Sequence, residues 1–423
     1  MNNADLRKNL FFFGVLHGLL FLCLLPTLAQ LFYPGTGILE QYISQQILKG
    51  HIPYHDFASE YPPLALFSFL LPGLLVHNIL AYSWAYAFEL LVFDVLVLFM
   101  IADLASFLKI SVRNVLVVYT LLILAAGPIL VCRYDLLPAM LVLAALWAFI
   151  KGKNKLGWAV AALGIAAKLY PVIIVPLFII YQMRNRQYGR FIKGGVVFLI
   201  VLCAISLPWL VIDAPGFWHS LTYHLQRGLH SESTYGTALI AGQVLGMTTV
   251  NGALTYGSWN LSSPLADSLG EISVFVTAGC LLVVYGLFYR HLRKDSEGDT
   301  EAIMSGPPAA GLIRYATLVI IVFMLTNKVF SAQYLIWLCP LLPLVAAGRR
   351  YLIPVLFVVA AVFTQYVYPY HYIEFELTRS VPVFILSVRN LLLIAIAILM
   401  ALSNGSTARI HQIPGTRALR SGG

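Results

Sequence analysis

The chain has 423 residues, a net charge of +9, 60% hydrophobic and only 11% charged residues, and a mean hydropathy of +0.84. Apolar runs of about 17 to 25 residues, the length that crosses a bilayer, follow one another along it, which excludes an ordinary globular protein and makes this a polytopic membrane protein. The positive charge is spread over the segments between those runs, as membrane topology demands, so nucleic acid is not an expected partner.

Taken in chain order, the first span is expected at Phe11 to Phe32. No small-residue cleavage motif precedes Pro34 and Gly35, so this run reads as a retained helix with Arg7 and Lys8 on the cytoplasmic side. Further spans are expected at Trp84 to Phe107, Val115 to Cys132, Leu136 to Ile150, Trp158 to Lys168, Pro171 to Tyr181 and Phe191 to Val211. The later ones are Ile272 to Tyr289, Leu312 to Thr326, Gln333 to Ala347, Tyr351 to Tyr368 and Val383 to Ser403. Pro62 to Val76 is either a further span or a re-entrant element, which makes an all-α transmembrane bundle of about 12 to 13 crossings. Basic clusters at Lys151, Lys153 and Lys155, at Arg184, Arg186 and Arg190, at Arg290, Arg293 and Lys294, and at Arg349 and Arg350 are expected inside, with Lys109 and Arg113. All of them fit only if Pro62 to Val76 returns to its own side or one crossing is miscounted, so the parity stays open.

This describes one transmembrane domain over residues 1–403, with outer loops at 33–61 and 212–271, a cytoplasmic linker at 291–311 and a disordered cytoplasmic tail at 404–423. In the second outer loop Phe217, Leu221, Leu225 and Leu229 fall at helical spacing, the pattern of an amphipathic helix lying at the interface. Cys23, Cys132, Cys203, Cys280 and Cys339 lie in or beside apolar runs without ligand spacing, so neither a disulfide framework nor a metal site nor a cofactor is implied. Glu89 and Asp94 share one span on different faces and read as helix-packing partners. His51, His55, His224 and His230 read as histidines of the interface, with lining the site as the alternative, and Trp218 and Trp259 belong to an aromatic belt.

The informative stretch is His51 to Leu64, HIPYHDFASEYPPL, where Asp56 and Glu60 stand among aromatics and three prolines that stiffen the loop. Other ionisable residues collect at span ends: Arg133 and Asp135 in RYDLLP, Lys168 in AAKLYP, Arg227 and Glu232 in RGLHSES, and Lys328 in TNKVFSAQY. Charges at membrane depth are costly unless paired or functional. Arg133, Lys168, Arg227 and Lys328 at one depth suit a phosphate leaving group, and a carboxylate suits removal of a proton from an attacking hydroxyl. The bland reading makes Arg133 with Asp135, and Lys168 with a neighbouring acid, structural ion pairs. Tyr54, His55, Tyr61, Asp135, Tyr170, Glu232, Gln333 and Tyr334 are expected to line the same site.

GHIPYHDFASEYPPLAL, RYDLLPAMLVLAALWAF, AAKLYPVIIVPL, QRGLHSES and NKVFSAQYLIWLCPLLPL, in that order from residue 50 to about 342, together resemble glycosyltransferase family 87. The resemblance implies a GT-C fold in the plasma or inner membrane, whose first outer loop carries the catalytic acid on the outer or periplasmic face. It implies an inverting transfer of a sugar, expected to be mannose, from a polyprenyl-monophosphate donor to an outer-leaflet glycolipid or glycan acceptor. Carried over by position, Asp56 is the expected catalytic acid with Glu60 beside it. Relatives aligned here carry an Asp earlier in the loop, near GTGILEQY, where this chain has Thr36 and then Glu40, so Glu40 is the third acid of the set. The competing readings are a lipid-linked sugar transporter or flippase, which would carry its polar residues near the bilayer midplane, and a polysaccharide polymerase or ligase, which would use the long loop at 212–271.

Overall fold

A computed structural model describes residues 3–31, 38–295, 307–345 and 351–402. Thr36, Arg349, Arg350, most of the expected linker and the tail after 402 lie outside the described residues. The chain begins with α1 (Asn3–Leu31), the short α2 (Ile38–Leu48), α3 (Pro63–Leu75), α4 (Ile79–Phe107), α5 (Val112–Ala126) and α6 (Ile129–Cys132). Next come the hairpin of α7 (Leu136–Ile150) and α8 (Asn154–Ala167), a 3-10 turn at Tyr170–Ile174, α9 (Val175–Arg184), α10 (Tyr188–Ile212) and α11 (Ala214–Gln226). After β1 (Leu229–His230), α12 (Thr234–Val244), β2 (Asn251–Thr255) and β3 (Ser258–Ser262), the chain returns to long helices with α13 (Pro264–Asp295) and α14 (Pro307–Thr326). A 3-10 turn at Ala332–Trp337, α15 (Leu342–Val345), α16 (Leu352–Gln365), an irregular turn at Tyr366–Tyr370, α17 (Tyr372–Glu376) and α18 (Ser380–Leu402) complete it.

Among the described residues seven helices are long and apolar enough to cross a membrane, and four shorter apolar helices accompany them. The expected 12 to 13 crossings are therefore not all continuous helices. Val115 to Cys132 breaks at Gly127 and Pro128, and the described part of Gln333 to Ala347, as far as Val345, is a 3-10 turn followed by one helical turn. Pro62 to Val76 forms a helix of 13 residues that stops at Val76, short of a full crossing. The expected linker is shorter at its start, because α13 continues to Asp295.

The centre of the bundle is α14, buried along its length, against α13, α18 and the α7 helix. By contrast α10 exposes its apolar side chains, the surface a helix offers to lipid. Several polar residues within the spans are paired. His17 Nδ1 lies 2.5 Å from Asp94 Oδ2, the Tyr119 hydroxyl donates to Asp94 Oδ1 at 2.6 Å, and Ser68 donates to Glu89 at 2.8 Å. These bonds tie α1 to α4 and α5, and α3 to α4, as the packing reading of Glu89 and Asp94 requires.

The fold is all-α apart from one small three-stranded antiparallel sheet in the order β1-β3-β2. Tyr256 and Gly257 both take positive φ (51° and 66°), the two-residue turn whose twist matches a hairpin, and it joins β2 to β3. The expected amphipathic helix is also shorter. α11 ends at Gln226 because Lys328 Nζ donates to the carbonyls of Leu225 (2.8 Å) and Arg227 (2.6 Å), and Leu229 pairs with Leu261 in the sheet.

Candidate functional site

The α7–α8 hairpin sets one wall of the site. Asp135 precedes the first turn of α7 and Lys168 follows the last turn of α8, so each charge sits at the helix end whose partial charge it complements. Antiparallel packing brings them together, and Lys168 Nζ donates to Asp135 Oδ1 at 2.6 Å. The same oxygen accepts Trp337 Nε1 at 2.6 Å. Aromatic rings surround the ammonium, with Tyr134, Trp337 and Tyr334 at 4.6, 5.3 and 5.5 Å from ring centre to Nζ. Trp337 is held between the rings of Tyr170 (3.8 Å) and Tyr334 (3.9 Å), and the Tyr170 hydroxyl is buried without a partner.

Glu40, in the first turn of α2, forms the opposite wall. Its side chain is 2% exposed, and its Oε1 lies 4.0 Å from Arg133 Nη1, too far for a hydrogen bond. That oxygen and Arg133 Nε are both buried without a hydrogen-bond partner. Burial raises the Glu40 pKa above its ordinary value, Arg133 pulls it back, and the negative charges of Glu60 and Asp135 push it further up. Glu60 is half-buried; burial raises its pKa too, and Arg227 opposes that. Tyr61 packs edge-on against Phe69 (4.9 Å) and Tyr134 (5.4 Å), joining the two walls.

Asp56 stands apart from this group. Its Oδ2 accepts the Ile52 N–H at 2.7 Å while its own N–H donates to the Ile52 carbonyl at 2.8 Å, so the carboxylate closes a tight turn of its loop. The side chain is 37% exposed, and its ion-pair neighbour is His55 at 3.9 Å. His55 in turn reaches Asp213 at 3.1 Å, the residue that caps α11 by accepting the Gly216 N–H at 2.8 Å. Those two bonds hold the Asp213 pKa below the usual carboxylate range. A Cβ at Gly216 would stand 2.0 Å from the Tyr54 carbonyl, so the first loop rests directly on α11. Tyr54 itself is buried against Trp209 and Phe217 and donates to the Tyr61 carbonyl at 2.6 Å. Tyr54, His55 and Asp56 therefore dock the loop.

The remaining cations divide in the same way. Arg227 donates from Nη2 to Ser258 at 2.6 Å and keeps Nε buried without a partner. Lys328 is committed to the end of α11, and burial lowers its pKa. Glu232 is buried, with one oxygen lacking a partner and the other 4.0 Å from His230. Burial pushes the Glu232 pKa up to about 7 and the His230 pKa down to about 3. Gln333 and Tyr334 are half-buried on the 3-10 turn before Trp337.

Of the alternative structural pairs, Lys168 does meet a neighbouring acid, Asp135, whereas Arg133 lies against Glu40 and not Asp135, because the α7–α8 hairpin delivers Lys168 to Asp135 first. Four participants were not singled out from the sequence. Tyr134 falls between two expected spans, Trp337 inside the expected span Gln333 to Ala347, and Tyr368, which hydrogen-bonds Arg133, is the last residue of another. Arg389 is fully buried in α18, donates to the Glu232 carbonyl at 3.0 Å and lies 4.1 Å over the Phe330 ring. An Arg-Asn pair inside an apolar run was the available signal. No group of three metal-ligating side chains occurs among the described residues. The model of glycosyltransferase family 87 matches residues 60–306, more than half of the chain, taking in Glu60, Arg133, Asp135, Lys168 and Arg227. No curated protein matches the chain.

Proposed function

The chain belongs to glycosyltransferase family 87 and is a multi-pass membrane glycosyltransferase, and from that premise we propose that it transfers a sugar, expected to be mannose, from a polyprenyl-monophosphate donor to a glycolipid or glycan acceptor with inversion. The acceptor oxygen attacks the anomeric carbon, the bond from that carbon to the phosphate oxygen breaks, and the electron pair leaves with the polyprenyl phosphate. Glu40 takes the acceptor proton. The observation that carries this assignment is the buried Glu40 oxygen without a hydrogen-bond partner, facing Arg133 and neighboured by Glu60 and Asp135. Asp56 supports the loop.

Arg133 and Arg227 hold the departing phosphate in this reading, since each keeps a buried N–H without a partner. Lys168 adds positive charge while it fixes Asp135, and Lys328 holds the segment that carries Arg227. The site faces the outer or periplasmic side, opposite the basic clusters around Lys151 and Arg190. Purified protein given radiolabelled polyprenyl-phosphomannose and a glycolipid extract tests the reading: labelled glycolipid should form, and Glu40→Gln should abolish it in a protein that remains folded. Normal transfer by Glu40→Gln, or no transfer by folded wild type from this donor, would refute it.

A further inference from the structure

The α7–α8 hairpin has a second polar end. Along the 15 residues of α7, about 22 Å from the Asp135–Lys168 pair, a cavity of about 220 Å³ opens where α4, α7, α8, α9 and α10 end or begin. Phe107, Phe149 and Ile150 form its apolar wall, and Lys151, Asn154 and Arg190 face it from the polar side. The polar wall is fixed in place. Lys151 is paired with Asp103 at 2.8 Å, Asp103 also accepts Trp147 Nε1 at 2.7 Å, and Asn154 donates to the Arg190 carbonyl at 2.7 Å. Buried Gln182 donates to Asn154 from behind.

Charge at this end exceeds what those bonds consume. Arg190 is exposed and forms no ion pair among the described residues, and Lys153 stands 4.7 Å over the Trp147 ring. Lys155, Arg186 and Lys193 add positive charge within a few residues of the lining. Membrane topology accounts for basic residues at one end of a bundle. It does not account for a cavity with cations on one wall and aromatic and aliphatic side chains on the other.

We propose that this cavity binds the phosphate headgroup of an anionic phospholipid, with Lys151 and Arg190 on the phosphate and Phe107, Phe149 and Ile150 against the glycerol and first acyl carbons. The lipid source follows from the neighbouring surface. α10 starts at the cavity and continues away from it with Ile192 (60%), Val196 (50%) and Leu199 (58%) exposed, a track for an acyl chain that a free phosphate would not need. The site is separate from the proposed transfer site and does not depend on its chemistry.

Native mass spectrometry and thermal unfolding of the full-length protein in detergent test this, with phosphatidylglycerol, phosphatidylcholine or inorganic phosphate added. Phosphatidylglycerol should be retained over phosphatidylcholine and should raise the unfolding temperature, and inorganic phosphate should not. Arg190→Gln and Lys151→Gln should each weaken phosphatidylglycerol binding about fivefold, the effect of one cation near an anionic lipid. Lys8→Gln, an exposed charge elsewhere, should leave binding unchanged. Arg190 is exposed, so its variant should fold normally. Equal retention of the two lipids, unchanged binding by Arg190→Gln, equal loss in Lys8→Gln, or equal stabilisation by phosphate alone would each overturn the proposal.

Discussion

Glu40→Gln keeps the size of the side chain and removes its capacity to accept a proton. With Glu40 as the base, turnover should fall by about 10²- to 10⁴-fold, the usual worth of general base catalysis, while Asp56→Asn stays near wild type. Arg133 supplies the sharper test. Its Nη1 is 4.0 Å from Glu40, where Coulomb's law gives about 1 kcal/mol in water and about 4 kcal/mol at the effective dielectric of a protein. Arg133 is 31% exposed, so screening favours the lower end. Because Arg133 pulls the Glu40 pKa down against its burial, Arg133→Gln must move the acidic limb of kcat to higher pH. The stability sign is fixed as well. A carboxyl with a raised folded pKa contributes stability below its unfolded pKa and loses it as pH rises through the folded one, so Glu40→Gln should gain on wild type toward alkaline pH. Initial rates of transfer over a pH series, with unfolding measured on the same samples, decide the matter. Loss of turnover in Asp56→Asn with a normal rate in Glu40→Gln, or an acidic limb that Arg133→Gln does not move, refutes the reasoning.

Lys168→Ala strands Asp135, 1% exposed, and should cost about 3 to 5 kcal/mol in denaturant unfolding, whereas the double change Lys168→Met with Asp135→Asn should recover most of it; equal losses would mean that the pair is not the source. Lys328→Ala removes two charged hydrogen bonds from the end of α11 and should destabilise by about 1 to 3 kcal/mol, with less effect on the donor KM than Arg227→Ala has; the reverse order in KM would make Lys328 the phosphate ligand. Glu232, raised from 4.5 to about 7, carries about 3 kcal/mol of stability that is present below about pH 4.5 and lost as pH rises through about 7. The difference between wild type and Glu232→Gln should trace that slope, which the comparison separates from His230 titrating in the opposite sense, and a pH-independent difference would show that Glu232 is solvated.

The charged ends of the spans were legible because water-excluded charge is expensive: RYDLLP, AAKLYP and RGLHSES stood out against apolar sequence, and charges from all three meet in the fold. Which acid each cation meets was not legible. That depends on hairpin geometry, which delivers Lys168 to Asp135 and leaves Arg133 to Glu40. Asp56 drew attention through its proline-rich loop, yet the same stiffness suits a turn closed by an Asp side chain, and spacing does not separate the two roles. The hairpin of β2 and β3 was legible in principle from Tyr-Gly between alternating residues, but the helical spacing of Phe217, Leu221 and Leu225 drew the whole loop into one helical reading.

The interruptions that upset the count of spans and the charges that mark the site have one cause. A helix that ends within a membrane protein leaves N–H or C=O groups that hydrocarbon cannot satisfy, so such ends are confined to places with polar partners or water. The site is assembled from helix ends of this kind: the first turn of α2 with Glu40, the start of α7 with Asp135, the end of α8 with Lys168 and the end of α11 with Arg227. Acids stand at the starts and cations at the finishes, the order that the helix dipoles favour. Lys328 extends the rule by donating directly to the last carbonyls of α11. Short, broken apolar segments with an acid before them or a base after them therefore trace the lining of a buried polar site, where windows of full span length see only crossings.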